Sequence, residues 1–310
     1  MKVLVMAAGA VGGYLAGILN RSGEEVVAVA RGANLEAIIQ DGLIVESVRS
    51  GNFTEPVSAV DRLSGDWQAD LIIFCVKSYH NEEAIKVLTP AVQDSTTILT
   101  LENGIGSGDQ LADAFGSDKI LLGAAYVGTK RLRPGVFAEL EGEVRLVFGE
   151  EDGTHSQKAK EVHKVLSKTG IDVELSSDVL KTLWEKLIYI CALSGMTCVT
   201  RASFLEINSL SGTHNLVRAV MDEVSQVGRA LGVNLAEDVV ESTMNYFKSL
   251  HFDLLSSMYG DLIIGNPLEL NVLNGAIDRL GKDMDIVTPV NSFISEILSV
   301  ADNRARLTSN

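Results

Sequence analysis

Near its start the chain carries a glycine-rich stretch, Ala7-Ala-Gly9-Ala-Val-Gly12-Gly13. In that spacing Gly9 lets backbone approach a pyrophosphate, and Gly12 allows a helix to pack closely on a strand. The helix that follows offers free N–H groups and its positive end to phosphates. Ala7, Ala8, Gly9, Ala10, Val11 and Gly12 are therefore the candidate phosphate-facing residues. Ala7 replaces the first glycine of the motif, which the turn tolerates if it keeps a negative φ. Downstream, Ala30-Arg31-Gly32 holds no Asp or Glu where an NAD site places one for the adenosine ribose. Arg31 can instead pair a 2′-phosphate bidentately, so NADP(H) is the expected cofactor. The alternative is a solvated arginine at the end of a strand.

Lys77 and Asn103-Gly104 each follow an apolar run, where ligands of open α/β sheets bind; both also suit plain turns. Trp184-Glu-Lys186-Leu lies in a mostly apolar helical pattern. On pattern alone Lys186 reads as a snorkelling surface residue. Its functional alternative is a cation at a cleft that pairs a substrate oxygen and protonates the alkoxide left by hydride addition. Ser257-Met-Tyr-Gly-Asp261 and Glu269 supply further polar groups. The five histidines show no metal-ligand spacing and no GxSxG elbow occurs, which argues against a zinc enzyme or serine hydrolase.

The elements that must position these groups alternate. Strand patterns at Lys2–Met6, Glu25–Ala30, Leu71–Val76, Thr97–Leu101 and Ile120–Ala125 are separated by helical patterns at Ala10–Ser22, Asn34–Gln40, Asn81–Leu88 and around Asp109–Phe115. Val136–Leu140 and Val144–Phe148 read as a hairpin at the sheet edge, turning at Glu-Gly-Glu. Ser156–Thr169 and Asp172–Leu175 close this half. Thereafter the strand signals stop, and Val179–Cys198, Leu216–Leu231, Leu235–His251, Glu269–Gly281 and Pro289–Asp302 read as helices. The expected fold is an α/β chain: a Rossmann-like doubly wound domain over residues 1–176, then an all-helical substrate and dimerisation domain over 177–310.

Composition narrows the class. With 46% hydrophobic and 22% charged residues, the 310-residue chain can bury large cores. A net charge of −15 disfavours nucleic acid and anionic membrane as partners. Val3–Leu19 carries no charge and imitates a signal peptide, but the glycines in it and the strand pattern after it argue otherwise. Three cysteines without CxxC spacing fit reduced thiols in a cytoplasmic protein.

In order and spacing the chain resembles the ketopantoate reductase (2-dehydropantoate 2-reductase) family nearly end to end. The matching pieces are Ala8-Gly-Ala-Val-Gly-Gly13, Arg31, Val76-Lys77-Ser78, Asn103-Gly104 and Pro134-Gly-Val136 before Phe148-Gly149-Glu150. They continue with Trp184-Glu-Lys-Leu187, Thr200-Arg-Ala202, Glu223-Val224, Ser256-Ser-Met258, Asp261, Glu269 and Asn274-Gly275. The resemblance implies NADPH-dependent reduction of a small 2-keto acid to a 2-hydroxy acid, 2-dehydropantoate to pantoate first, in a cleft between the two domains of a homodimer subunit. It makes Lys186 the catalytic proton donor. It puts Lys77, Asn103, Thr129 and Glu269 along the cofactor, and Ser257 on the substrate carboxylate.

Lys186, Ile190, Ser194, Ser257 and Asp261 form the expected substrate side. Here the chain departs from the family, whose members that reduce ketopantoate carry asparagines four and eight residues after the lysine. Ile190 and Ser194 occupy those places, Glu102 replaces a glutamine, and Ala7 a glycine. Two other readings stay open: the same reaction on a bulkier keto substrate, or an NADPH-binding sensor without turnover.

Overall fold

A computed structural model describes residues 1–249 and 253–308, with the side chains of 141–143 left aside. The first unit comprises residues 1–102 and 106–179, and the second comprises 103–105 and 180–310. The expected boundary at Ser176-Ser177 falls a few residues earlier than this division.

The first unit opens with β1 (Lys2–Met6), α1 (Ala10–Arg21), β2 (Glu25–Val29), α2 (Gly32–Asp41) and β3 (Leu43–Ser47). There follow β4 (Phe53–Glu55), β5 (Ser58–Val60), β6 (Leu71–Phe74), α3 (Asn81–Leu88), β7 (Thr97–Thr100) and α4 (Ser107–Phe115). The unit closes with β8 (Ile120–Arg133), β9 (Val136–Gly149), α5 (Gln157–Ser167) and β10 (Asp172–Leu175).

The parallel centre of its sheet runs β5-β2-β1-β6-β7-β8, the order of a Rossmann sheet. Strand order reverses between β1 and β6, and the crevice beyond their carboxyl ends is where such sheets take ligands. Both central strands are buried on both faces, which explains their unbroken apolar runs. Val3 and Val5 join a core with α1 and α5, whereas Leu4 and Met6 join a separate core with α3 and α4. Period-two alternation thus divides one apolar run between two layers. Each fully buried aliphatic side chain contributes about 1.5–3 kcal/mol.

Two sequence expectations are corrected here. The hairpin turns at Pro134-Gly135, where Gly135 takes φ +74°, and the backbone runs straight through Glu141-Gly-Glu143 as one strand. Nor is it at an edge: β9 pairs antiparallel with β8 and parallel with both β3 and β10. In addition, β3, β4 and β5 were invisible as patterns because they are short and only partly buried.

The helical unit consists of α6 (Val179–Thr200), α7 (Phe204–Ser209), α8 (Ser211–Ala230), α9 (Val239–Ser249), α10 (Ser257–Ile264), α11 (Asn274–Asp283) and α12 (Pro289–Thr308). Helix α6 is apolar nearly all round and forms the centre of its core through Trp184, Leu187, Ile188, Cys191 and Met196. The expected helix from Leu235 begins only at Val239, and His251 lies outside the described residues. The expected helix from Glu269 is broken: a 3₁₀ turn at Leu270–Val272 precedes α11, with Leu273 at φ −114°, ψ −118°. Helices α7 and α10 escaped the sequence reading, being six and eight residues long. No helix among the described residues is long and apolar enough to cross a membrane.

Candidate active site

In the first unit the site is largely backbone. Gly9 is the N-cap of α1 and no side chain caps that end, so the first-turn N–H groups are left for an anion. A Cβ on Gly9 would meet nothing within 4 Å, which leaves room for close approach. On Gly12 it would fall 2.1 Å from Ala7 O, so only glycine lets the helix sit against this loop. These features fit a dinucleotide's diphosphate, which Ala7–Gly12 would hold.

Ala7 contradicts the negative φ expected of it: its φ is +74°. An L-residue there costs about 1 kcal/mol that glycine would not. The turn is held from outside, since Ala8 N–H donates to Val29 O at 2.8 Å and Asn34 Nδ2 donates to Ala8 O at 3.0 Å. Asn34 Oδ1 in turn accepts from Gly135 N–H at 2.9 Å, which joins the glycine-rich loop to the hairpin turn. Sequence reasoning missed Asn34, whose buried amide acts only through contacts distant in the chain.

Lys77 leaves β6 beside the point where strand order reverses, and Cys75 N–H donates to Met6 O at 3.1 Å, tying that exit to the end of β1. Arg31 follows β2, half-exposed, with its guanidinium 2.9 Å from Glu83 Oε1. Glu102 is buried and accepts from Asn81 Nδ2 at 3.0 Å. Thr129 lies on β8 well past the segment that pairs with β7, opposite Glu139, and its buried hydroxyl meets no hydrogen-bond partner among the described residues. No described contact joins Thr129 to the glycine-rich loop.

In the helical unit the site is made of side chains on apolar supports. Lys186 keeps only 9% of its surface exposed, which overturns the snorkelling alternative. Burial pulls its ammonium down from the ordinary 10.5 to about 8, and the Glu269 carboxylate offsets part of that effect. Glu269, itself buried, starts the Leu270–Val272 turn. Asn103–Ile105 docks on that turn: Gly104 sits at φ +85° where a Cβ would fall 2.2 Å from Val272 O, and Ile105 N–H donates to the same oxygen at 3.3 Å. Tertiary structure thus brings Gly104 and Ile105 to the turn that Glu269 starts, and Lys186 within electrostatic reach of Glu269.

Ile190 and Ser194 share a face of α6 with Lys186 by helical spacing. Ile190 is half-buried, and Ser194 is 1% exposed with a hydroxyl that makes no hydrogen bond among the described residues. Ser256 caps α10, accepting from Tyr259 N–H at 2.9 Å, and bonds Thr197 at 2.9 Å. Its neighbour Ser257 is left exposed, and Asp261 Oδ1 accepts from Asn266 Nδ2 at 3.1 Å.

Glu223 and Asn274, singled out by their motifs, hold helices together. The Glu223 carboxylate accepts from the N–H groups of Val290 and Asn291 at 2.9 Å each, capping α12 from α8. Asn274 Nδ2 donates to Asn291 Oδ1 at 2.9 Å and ties α11 into the same network.

Comparison with known proteins bears on this arrangement. The family described as ketopantoate reductase PanE/ApbA matches residues 3–153, and its C-terminal counterpart matches residues 178–302. A 2-dehydropantoate 2-reductase of Archaeoglobus fulgidus is 30% identical over 297 residues, covering 96% of each chain. The crystal structure of a PanE/ApbA family ketopantoate reductase from Ralstonia eutropha JMP134 is 31% identical, with a TM-score of 0.90 over 99% of this chain and 100% of that one. A D-mandelate dehydrogenase solved with NADH and anilino(oxo)acetate has the same fold, with a TM-score of 0.91 at 23% identity over 99% of each chain. The chain belongs to the ketopantoate reductase PanE/ApbA family of oxidoreductases.

Proposed function

We propose that this chain reduces a 2-keto acid to the 2-hydroxy acid with NADPH, that 2-dehydropantoate is the first candidate substrate, and that Lys186 is the proton donor. The observation that carries this is the buried Lys186 ammonium, tuned to about 8 beside Glu269. At neutral pH it is mostly protonated, yet releases its proton more readily than an ordinary lysine. The nicotinamide, when bound, supplies the hydride that adds to the carbonyl carbon.

The residues of the chain do the rest. Lys186 Nζ donates a hydrogen bond to the keto oxygen, then passes its proton as that oxygen gains the electron pair. The amine left behind recovers a proton from solvent. Glu269 keeps Lys186 charged before the step. Ser257, exposed at the start of α10, offers hydroxyl and backbone N–H to the substrate carboxylate. Ala7–Gly12 hold the diphosphate, Arg31 the adenosine end, and Lys77, Asn103 and Thr129 complete the cofactor contacts. The relatives named 2-dehydropantoate 2-reductase support the substrate, and the NADH-bound dehydrogenase supports a nicotinamide cofactor. A cytoplasmic homodimer is part of the same proposal.

A bulkier, more apolar keto acid is the second reading. It is favoured by Ile190 and Ser194, which put a methyl-rich surface and a buried hydroxyl where amide donors would hold a polar substrate. Loss of NADPH absorbance with 2-dehydropantoate, run beside bulkier 2-keto acids, tests both. Efficient turnover of 2-dehydropantoate establishes the first, and turnover of a bulkier acid alone establishes the second. Tight NADPH binding with no turnover on any of them refutes both and leaves a sensor.

A further inference from the structure

The adenosine end of the first unit holds an ion pair whose carboxylate, Glu83, the proposed function leaves without a role. Arg31 Nη2 lies 2.9 Å from Glu83 Oε1, and the other Glu83 oxygen is 3.9 Å from His80 Nδ1. Glu83 stands in the first turn of α3, whose positive end favours a carboxylate. Both members of the pair are about half exposed, so a ligand can reach them.

They face a depression of about 560 Å³ whose charged lining is Arg31, Arg62, Lys86, Asp61 and Glu83. Lys86 is itself bound to Glu82 at 2.6 Å. The lining is therefore close to neutral, in a chain of net charge −15. A 2′-phosphate adds about two negative charges and needs the face of Arg31 that Glu83 holds. A 2′-hydroxyl needs the opposite: an acceptor. Dinucleotide sites that prefer NAD supply one from a carboxylate at the end of the second strand. Here β2 ends without a carboxylate, and α3 brings one to the same arginine.

Given that the first unit binds a nicotinamide dinucleotide, we propose that Glu83 sets the selectivity for the 2′-phosphate. By occupying Arg31 it weakens binding of NADPH, and by presenting an acceptor it retains NADH. The wild-type protein accordingly binds the two within about tenfold of each other, the scale of exposed charge pairs.

The test is titration of the full chain with NADPH and NADH, followed by nucleotide fluorescence, for wild type, E83Q, R31Q and the double variant. Glu83 is exposed and glutamine keeps its shape; matching far-UV circular dichroism confirms that each variant is folded. E83Q is expected to tighten NADPH about fivefold and leave NADH unchanged or slightly weaker. That gain must vanish in the R31Q background. An unchanged NADPH-to-NADH ratio in E83Q, with both nucleotides bound, overturns the role of Glu83 alone, as does a gain that survives R31Q. If neither nucleotide binds wild type, the dinucleotide reading falls too.

Discussion

The candidate sites of the two units are built by opposite means. In the first, the surface proposed to face phosphate is backbone: an uncapped helix end, a glycine with open space beside it and a tight loop against a strand. In the second, the proposed chemistry rests on single side chains, Lys186 and Glu269, set in an apolar core. Backbone dipoles hardly change when neighbours are substituted, so the first site depends on shape. A buried charge depends on everything around it, so the second depends on electrostatics.

The largest effect expected is at Lys186. K186A should lower kcat/KM by about 10²–10⁴, the usual worth of a positioned proton donor, with nucleotide affinity retained. Steady-state kinetics beside a fluorescence titration would separate the two. Activity within tenfold of wild type would place the donor elsewhere and erase the contrast between the units.

A smaller change is expected in pH dependence. With the protonated amine as the proposed donor, kcat/KM for reduction should fall as pH rises through about 8. Glu269 raises that value, so E269Q should move the falling limb to lower pH. A pH profile whose limb stays put in E269Q would mean that the carboxylate acts only as a structural or cofactor contact.

The smallest effect sharpens the backbone side. Since Ala7 sits at φ +74°, A7G should relieve strain and raise stability by up to about 1 kcal/mol, less the entropy that glycine costs the folded state. Urea denaturation measures it. A destabilised A7G would show that the strain at Ala7 is smaller than that entropy.

Much of the first unit was legible in the sequence because its signals are local. Val3–Met6 and Leu71–Phe74 announce buried parallel strands by composition, and the glycine spacing announces the loop between strand and helix. The hairpin was misplaced because Glu141-Gly-Glu143 looks more like a turn than Pro134-Gly135 does, and because cross-strand pairing with β3 and β10 leaves no local trace. In the helical unit, Lys186 was nameable as a candidate, but the pattern favoured the surface. Helical periodicity is weak in a helix that is apolar on every side, so no polar face existed to say where the lysine points.

By itself, then, the sequence determined the order of elements, the glycine-rich loop and the resemblance to a reductase family, since each is written in neighbouring residues. Tertiary structure alone decided that Ala7 takes a left-handed turn, that Asn34 braces it from α2, that Glu83 reaches Arg31 from another helix, and that Lys186 is buried beside Glu269. Backbone strain, ion pairing and acidity arise from groups tens of residues apart in the chain, and only folding brings those groups into contact.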